Sequence, residues 1–324
     1  MSYTQAQLAQ YFERIKLPDD IRARMSAGKK DLEVLTSLVR HHVAGVPFEN
    51  TVLHYTPEQY FELKPQGLHE KIVRRRQGGT CFQVVRILSE VLLSIGYTLY
   101  NSAARLNAAA SISLATAADP NRPVGPQFGD WQHMVLIVRI DGQDYLVDGG
   151  FGPNCPVQPI ALRDGHEFVD GRLGRRGRLI YDNINKGRAH HLKYWRLQFQ
   201  SMKSPVAPWM DVYAFKECEW LDTDYEAGAR AVGTNKRIWF RLRVTAFRYV
   251  LEDGVPVGWV MLWHNTLIRF HGGKVLEKSV LESEEDRIEV LADMFGIVLT
   301  EDHRKEIAGM FSALPSKRAR SSKM

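Results

Sequence analysis

The chain has 324 residues, with 43 Lys and Arg against 37 Asp and Glu, a formal charge of +6. At 44% hydrophobic and 25% charged it has globular usage, which argues against wholesale disorder. It offers no run of 18 apolar residues for a membrane span, its start (MSYTQAQLAQYFERIKLP) lacks an apolar signal core, and three Cys build no disulfide framework, so a reducing compartment is expected.

The first hundred residues read as helical. Thr4 followed by Gln7 is a capping-box pattern, and Leu8, Tyr11, Phe12 and Ile15 share one helical face. Leu32, Leu35, Leu38, Val39 and His42 repeat that spacing. From Cys81 to Ile95, Phe82, Val85, Leu88, Leu92 and Ile95 fall at helical intervals and stop before Gly96. The middle of the chain changes period. Residues 131–140 and 143–148 are strand-like and flank Asp141-Gly142, a strong hairpin signal. Further strand-like runs cover 191–199, 237–247 and 258–270, while Gly and Arg crowd 171–178 and read as a turn or loop. The end is helical again, with Ser283 and Asp286 capping a helix through Phe295 and a second helix from Glu301 to Leu314. The last ten residues read as a flexible tail. They hold Lys317, Arg318, Arg320 and Lys323 and no acid, leaving 39 basic against 37 acidic residues elsewhere. The positive charge is therefore mostly a property of the tail and does not mark the body as a nucleic-acid binder. The expected organisation is α+β in several regions: helices over 1–95, strands over 96–205, a mixed region over 206–314 and the tail over 315–324.

The three cysteines differ in setting. Cys81 follows Gly78-Gly79 at a helix start, where unpaired N–H groups and the positive dipole end favour a thiolate. Cys155 lies in a Pro-rich loop, and Cys218 reads as an ordinary small side chain. A thiolate nucleophile needs a base, and the base needs an orienting group. If Asp141-Gly142 closes a two-residue loop, His133 falls opposite Gly150, with Asp148 two places along on the same face. Such diagonal neighbours are within reach of a His–carboxylate hydrogen bond, although a three-residue loop would break the parity. The adjacent pairs His41-His42 and His190-His191 do not share a face and have no HExxH or CxxC companion, so no metal site is expected. No GxGxxG or GxxxxGK[ST] fingerprint is present. The basic run 172–178 has little aromatic interleaving and reads as a solvated loop rather than a nucleic-acid groove.

At these residues the sequence resembles the arylamine N-acetyltransferase family. VPFEN (46–50), VRRRQGGTCFQ (73–83), the His133 strand, DGQDYLVDGGFG (141–152) and FGIVL (295–299) occur in the family's order, and the resemblance runs from about residue 5 to 314. It implies an N-terminal helical bundle, a central β-barrel-like domain and a C-terminal α/β domain, with a cysteine-proteinase-like triad as in transglutaminase-like thiol enzymes. The family's nucleophile maps to Cys81, its general base to His133 and its orienting carboxylate to Asp148. The implied reaction is ping-pong: Cys81 takes the acyl group of an acyl-coenzyme A, and an arylamine, arylhydrazine or heterocyclic amine then takes it from Cys81. No tightly bound cofactor is implied, and acyl-coenzyme A is a co-substrate. Family pocket residues correspond to Phe48 and Phe151, with Phe82 beside the nucleophile. Coenzyme A would lie along Gly129 and Gln132 and against the third domain.

Some positions depart from the family pattern. The Arg that usually precedes Gly-Gly and pairs with the Glu of the PFEN motif is here Gln77, which could still hydrogen-bond Glu49. Val85 replaces a usual Asn, and Gln132 a residue that is often Thr or Ser. In GTNKRIWF (233–240), Thr234 matches a family hydroxyl, while Lys236 and Arg237 replace small residues and could contact coenzyme A phosphates or the carboxylate of a malonyl donor. The competing readings are a transglutaminase-like thiol hydrolase and a non-catalytic basic homologue that binds nucleic acid. The cytoplasm is the expected location, with the peroxisome as alternative because the final Ser-Lys-Met is similar to the Ser-Lys-Leu address.

Overall fold

The computed structural model describes residues 3–107, 127–184, 188–189, 191–202, 206–235 and 238–317. Helix α1 (Gln5–Arg14) starts on the expected capping box: Gln7 N–H donates to Thr4 Oγ1 at 3.2 Å, and Thr4 N–H to Gln7 Oε1 at 3.0 Å. After α2 (Asp19–Ser26), α3 (Leu32–Gly45) is capped by Asp31 and buries Leu35, Leu38, Val39 and His42. A two-residue strand β1 (Phe48–Glu49), single turns α4 (Val52–Tyr55) and α5 (Pro65–Leu68) and a π-helical turn (His69–Arg74) lead to α6 (Cys81–Ser94). Helix α6 is apolar nearly all round, so it sits in the interior, with Val84, Leu88 and Val91 packed near Met134, Leu136 and Val138.

Eight strands follow in one antiparallel, barrel-like sheet: β2 (Thr98–Asn107), β3 (Phe128–Ile140), β4 (Gln143–Val147), β5 (Ile160–Ala161), β6 (His166–Val169), β7 (Arg175–Asp182), β8 (Tyr194–Ser201) and β9 (Met210–Phe215), ordered β5-β4-β3-β2-β9-β8-β7-β6. The predicted hairpin is present. Asp141 and Gly142 take φ of 47° and 81°, a two-residue primed turn that pairs Ile140 with Gln143 and Leu136 with Val147. The Gly/Arg-rich run read as a loop instead enters β7. Its glycine makes room for a ring, since a Cβ on Gly177 would meet Phe168 Cζ, and the guanidinium of Arg175 lies 4.1 Å from the Phe199 ring centroid. The expected boundary near 205 falls between β8 and β9, which pair within this sheet.

The remainder comprises α7 (Asp222–Thr234), β10 (Thr245–Glu252), β11 (Val255–Trp263), β12 (Thr266–His271), β13 (Lys274–Val280), α8 (Glu284–Phe295) and α9 (Glu301–Glu306). The expected strand 237–247 begins only at Thr245, because Trp239–Arg241 forms a 3₁₀ turn. The run 258–270 is two strands, since His264 turns at φ 56°. The expected C-terminal α/β unit is corrected to an antiparallel sheet, β1-β10-β11-β12-β13, with helices against it. Turns at Asp253-Gly254 and Gly272-Gly273 are too short for the crossover a parallel pair needs. Strand β1 ties this sheet to the N-terminal helices: Phe48 pairs with Phe247 on β10 and bridges Gly79 on its other side.

Candidate active site

Helix α6 presents Cys81 at its first turn, beside the β3–β4 hairpin. The approach needs glycine on both sides. A Cβ on Gly78 would lie 2.0 Å from the Pro47 carbonyl oxygen, and one on Gly150 would lie 2.5 Å from Val84 Cγ2 and 3.2 Å from Cys81 Cα. The Cys81 sulfur lies 3.5 Å from the Gln132 carbonyl oxygen. On the hairpin, His133 Nε2 is 2.8 Å from Asp148 Oδ2, and Asp148 Oδ1 accepts from Gly150 N–H at 2.9 Å. His133 is 1% exposed and Asp148 0%. Burial alone would strip charge from the His133 ring. The Asp148 carboxylate and the Cys81 sulfur outweigh it, so the ring holds its proton to about 9. A cavity of about 400 Å³ opens over Cys81 and His133, with Phe48, Phe151, Trp239 and Phe240 among its walls.

The N-acetyltransferase family profile matches residues 31–304, most of the chain. The chain belongs to the arylamine N-acetyltransferase family. Among curated relatives, the N-malonyltransferase FDB2 of Gibberella moniliformis is 31% identical over 323 residues, covering 94% of this chain and 92% of that protein. Human arylamine N-acetyltransferase 2 is 34% identical over 158 residues, 48% of this chain and 47% of that protein. Among solved structures, the arylamine N-acetyltransferase of Mycobacterium abscessus has a TM-score of 0.75 at 22% identity over 93% of each chain. That of Mycobacterium marinum in complex with CoA has a TM-score of 0.70 at 26% identity, over 92% of this chain and 97% of that one. The α+β architecture with its barrel-like sheet is thus the fold of arylamine N-acetyltransferases.

Of the residues singled out in the sequence, the fold brings Cys81, His133, Asp148, Phe48, Phe151, Gly129 and Gln132 to this cavity or its base. Phe82 is not among the cavity walls. Consecutive helical residues diverge by about 100°, so Phe82 turns inward and its ring centroid lies 6.2 Å from that of Tyr225. Thr234 gives its hydroxyl to the Arg230 carbonyl at 2.8 Å and does not line the cavity. Lys236 and Arg237 lie outside the described residues. The walls that sequence reasoning missed are Trp239, Phe240, Met261 and Trp263. Their signal is the aromatic content of IWF (238–240) and MLW (261–263), which the strand-like character of 237–247 and 258–270 obscures.

The partner of Glu49 also differs from expectation. Glu49 is 0% exposed, and its Oε1 is 3.0 Å from Lys71 Nζ. Lys71 also donates to the Gly78 carbonyl. Thr51 N–H and Oγ1 both donate to Glu49 Oε2 at 2.6 Å. Lys71, carried on the π-helical turn, therefore supplies the cation where Gln77 was expected to hydrogen-bond. Burial pushes the Glu49 carboxyl up, but Lys71 and Thr51 hold it below its ordinary value. That stabilisation is present at neutral pH and fades as pH falls through the lowered value.

Two groups of outcomes are expected. In Asp148→Asn, His133 loses the carboxylate while its burial and the Cys81 sulfur remain, so its titration midpoint should fall well below the parent's value of about 9. Ring-nitrogen NMR reads this directly. In the parent, the stability tied to this proton is complete below 6.5 and lost as pH rises through about 9, a loss the variant should not show. Separately, Lys71→Met should cost about 3–5 kcal/mol by leaving a buried carboxylate unpaired. Gln77→Ala should cost no more than about 0.5 kcal/mol by urea unfolding.

Proposed function

We propose that the protein transfers an acyl group from acyl-coenzyme A to the nitrogen of arylamines, arylhydrazines or heterocyclic amines by a ping-pong mechanism. Cys81 is the nucleophile, His133 the general base and Asp148 the carboxylate that orients it. The observation that carries this reading is the 2.8 Å bond between His133 Nε2 and Asp148, which leaves the ring's other nitrogen for the Cys81 proton. In the first half-reaction the Cys81 sulfur, its proton passed to His133, attacks the thioester carbonyl. The carbon–sulfur bond to coenzyme A breaks, and its thiolate leaves with the proton from His133. In the second, the amine attacks the acyl-Cys81 carbonyl and gives a proton to His133. Cys81 leaves and is reprotonated. Exchange between two thioesters is close to isoenergetic, and amide formation then runs downhill.

The rings of Phe48 and Phe151 suit a flat aromatic acceptor. Gly129 and Gln132 line the cavity and are the proposed coenzyme A contacts there, with Lys236 and Arg237 proposed as further donor contacts from the sequence. The acyl group is acetyl, propionyl or malonyl. The N-malonyltransferase among the relatives supports malonyl, and Lys236-Arg237, just ahead of the wall residue Ile238, supplies the cations for its carboxylate or for coenzyme A phosphates. Detoxification of small aromatic amines in the cytoplasm fits this chemistry, with the peroxisome as the alternative from the terminal Ser-Lys-Met. Among the described residues no helix is long and apolar enough to cross a membrane.

Intact-mass measurement tests the reading. Incubation with acetyl-, propionyl- or malonyl-coenzyme A should add one acyl group, absent in Cys81→Ala and removed by an arylamine. The double change Lys236→Ser with Arg237→Ser should weaken donor affinity. No adduct with any donor would overturn acyl transfer, and an adduct lost equally fast without amine would indicate a thiol hydrolase.

A further inference from the structure

The wall of the cavity opposite the hairpin is irregular backbone, the 3₁₀ turn Trp239–Arg241 and the residues up to Thr245. The Trp239 carbonyl accepts from Leu242 and Arg243 N–H within the turn, and the Val244 carbonyl from His264 N–H. The Phe240 and Arg243 carbonyls are held by buried side chains from a distant part of the chain. Asn50 is 0% exposed. Its Nδ2 donates to the Phe240 carbonyl at 2.7 Å and to the Arg243 carbonyl at 2.8 Å, while its Oδ1 accepts from Thr245 N–H at 2.8 Å. His54, also 0% exposed, places Nε2 3.2 Å from the same Phe240 carbonyl and Nδ1 2.8 Å from Ser312 Oγ. Asn50 Nδ2 also lies 3.2 Å from His54 Nε2, and the Ser312 hydroxyl, which both donates and accepts, serves His54 Nδ1 in either tautomer. Ser312 is itself fixed, because its carbonyl accepts from Arg287 Nη2 at 2.9 Å. Arg287 is fully buried and pairs with Glu284.

We propose that Asn50, His54 and Ser312 are positioning residues that set the Trp239–Phe240 wall and thereby the size of the group admitted beside Cys81. This deepens the acyl-transfer reading and rests on it for the identity of the substrates. The rings concerned are in mutual contact: Trp239 and Phe240 centroids are 4.9 Å apart, Trp239 and Trp263 4.7 Å, and Phe48 and Phe240 5.8 Å. A shift of the Phe240 carbonyl therefore moves a whole aromatic surface. None of the three residues contacts Cys81, so their loss changes selectivity while leaving the thiol's own chemistry in place. The C-terminal segment, remote in sequence, thus takes part in choosing substrates.

The test uses the full chain and two alkylating probes, in which the Cys81 sulfur displaces iodide. Iodoacetamide is small, and N-phenyl iodoacetamide carries a ring that must enter the cavity. Ser312→Ala and His54→Phe should leave the iodoacetamide rate unchanged and alter the ratio of the two rates by about five- to tenfold, the scale of one buried hydrogen bond. Ser312→Thr, which keeps the hydroxyl, should restore the parent ratio. In steady state the same variants should change KM for bulky arylamines more than kcat. A parent-like ratio in folded Ser312→Ala and His54→Phe proteins would overturn the proposal, as would equal loss with both probes. The alkylation ratio does not require acyl transfer, so it stays readable if no donor acylates Cys81.

Discussion

The site depends on backbone surfaces coming closer than any side chain would allow. Gly78-Gly79 lets the loop before α6 lie against Pro47 and β1, and Gly149-Gly150 lets the β3–β4 hairpin lie against the first turn of α6. A Cβ on Gly149 would meet the His42 ring at 2.7 Å. These contacts bring a helix start and a hairpin end into one place, although Cys81 and His133 are 52 positions apart in the chain. Helices and hairpins are rigid over a few residues, so fixing the two backbones also fixes their side chains.

Buried charge follows from the same close approach. The Gly78 carbonyl is held by Lys71, and Lys71 is held by Glu49. A buried ion pair is a weak source of net stability, but losing one partner is costly. Such a pair therefore specifies the shape of the loop more than it adds to stability. His133 and Asp148 form a second buried pair, 2.8 Å apart, and in the proposed mechanism His133 is the partner that exchanges a proton with the sulfur.

Local signals in the sequence carried much of this. The capping boxes at Thr4 and Ser283, the stripe of α6 and the primed turn at Asp141-Gly142 are dictated by neighbours within four residues, and all are present. The parity of that turn puts His133 and Asp148 on one face, and they meet at 2.8 Å. What was hidden depends on distant partners. The run 171–178 looked like a loop because the rings that cover its arginines, Phe199 among them, lie on another strand. Lys71 gave no signal because its role arises only when the π-helical turn points it at a residue 22 positions earlier. Phe82 was placed beside Cys81 by adjacency in sequence, but helical geometry separates them. The Trp239–Phe240 wall is obscured because an aromatic-rich run has the composition of a strand, while its backbone makes a 3₁₀ turn whose Phe240 carbonyl is held by Asn50 and His54.

The cavity is assembled from pieces spread across the chain, in an order that matters during synthesis. A growing chain that has reached Asp148 already contains the thiol, the imidazole and the carboxylate. The aromatic wall arrives ninety residues later, and its brace only with Ser312. Until then the thiol has no roof to select what reaches it. On the proposed reading, the turn that carries Ser312 is the last piece of the wall to be made.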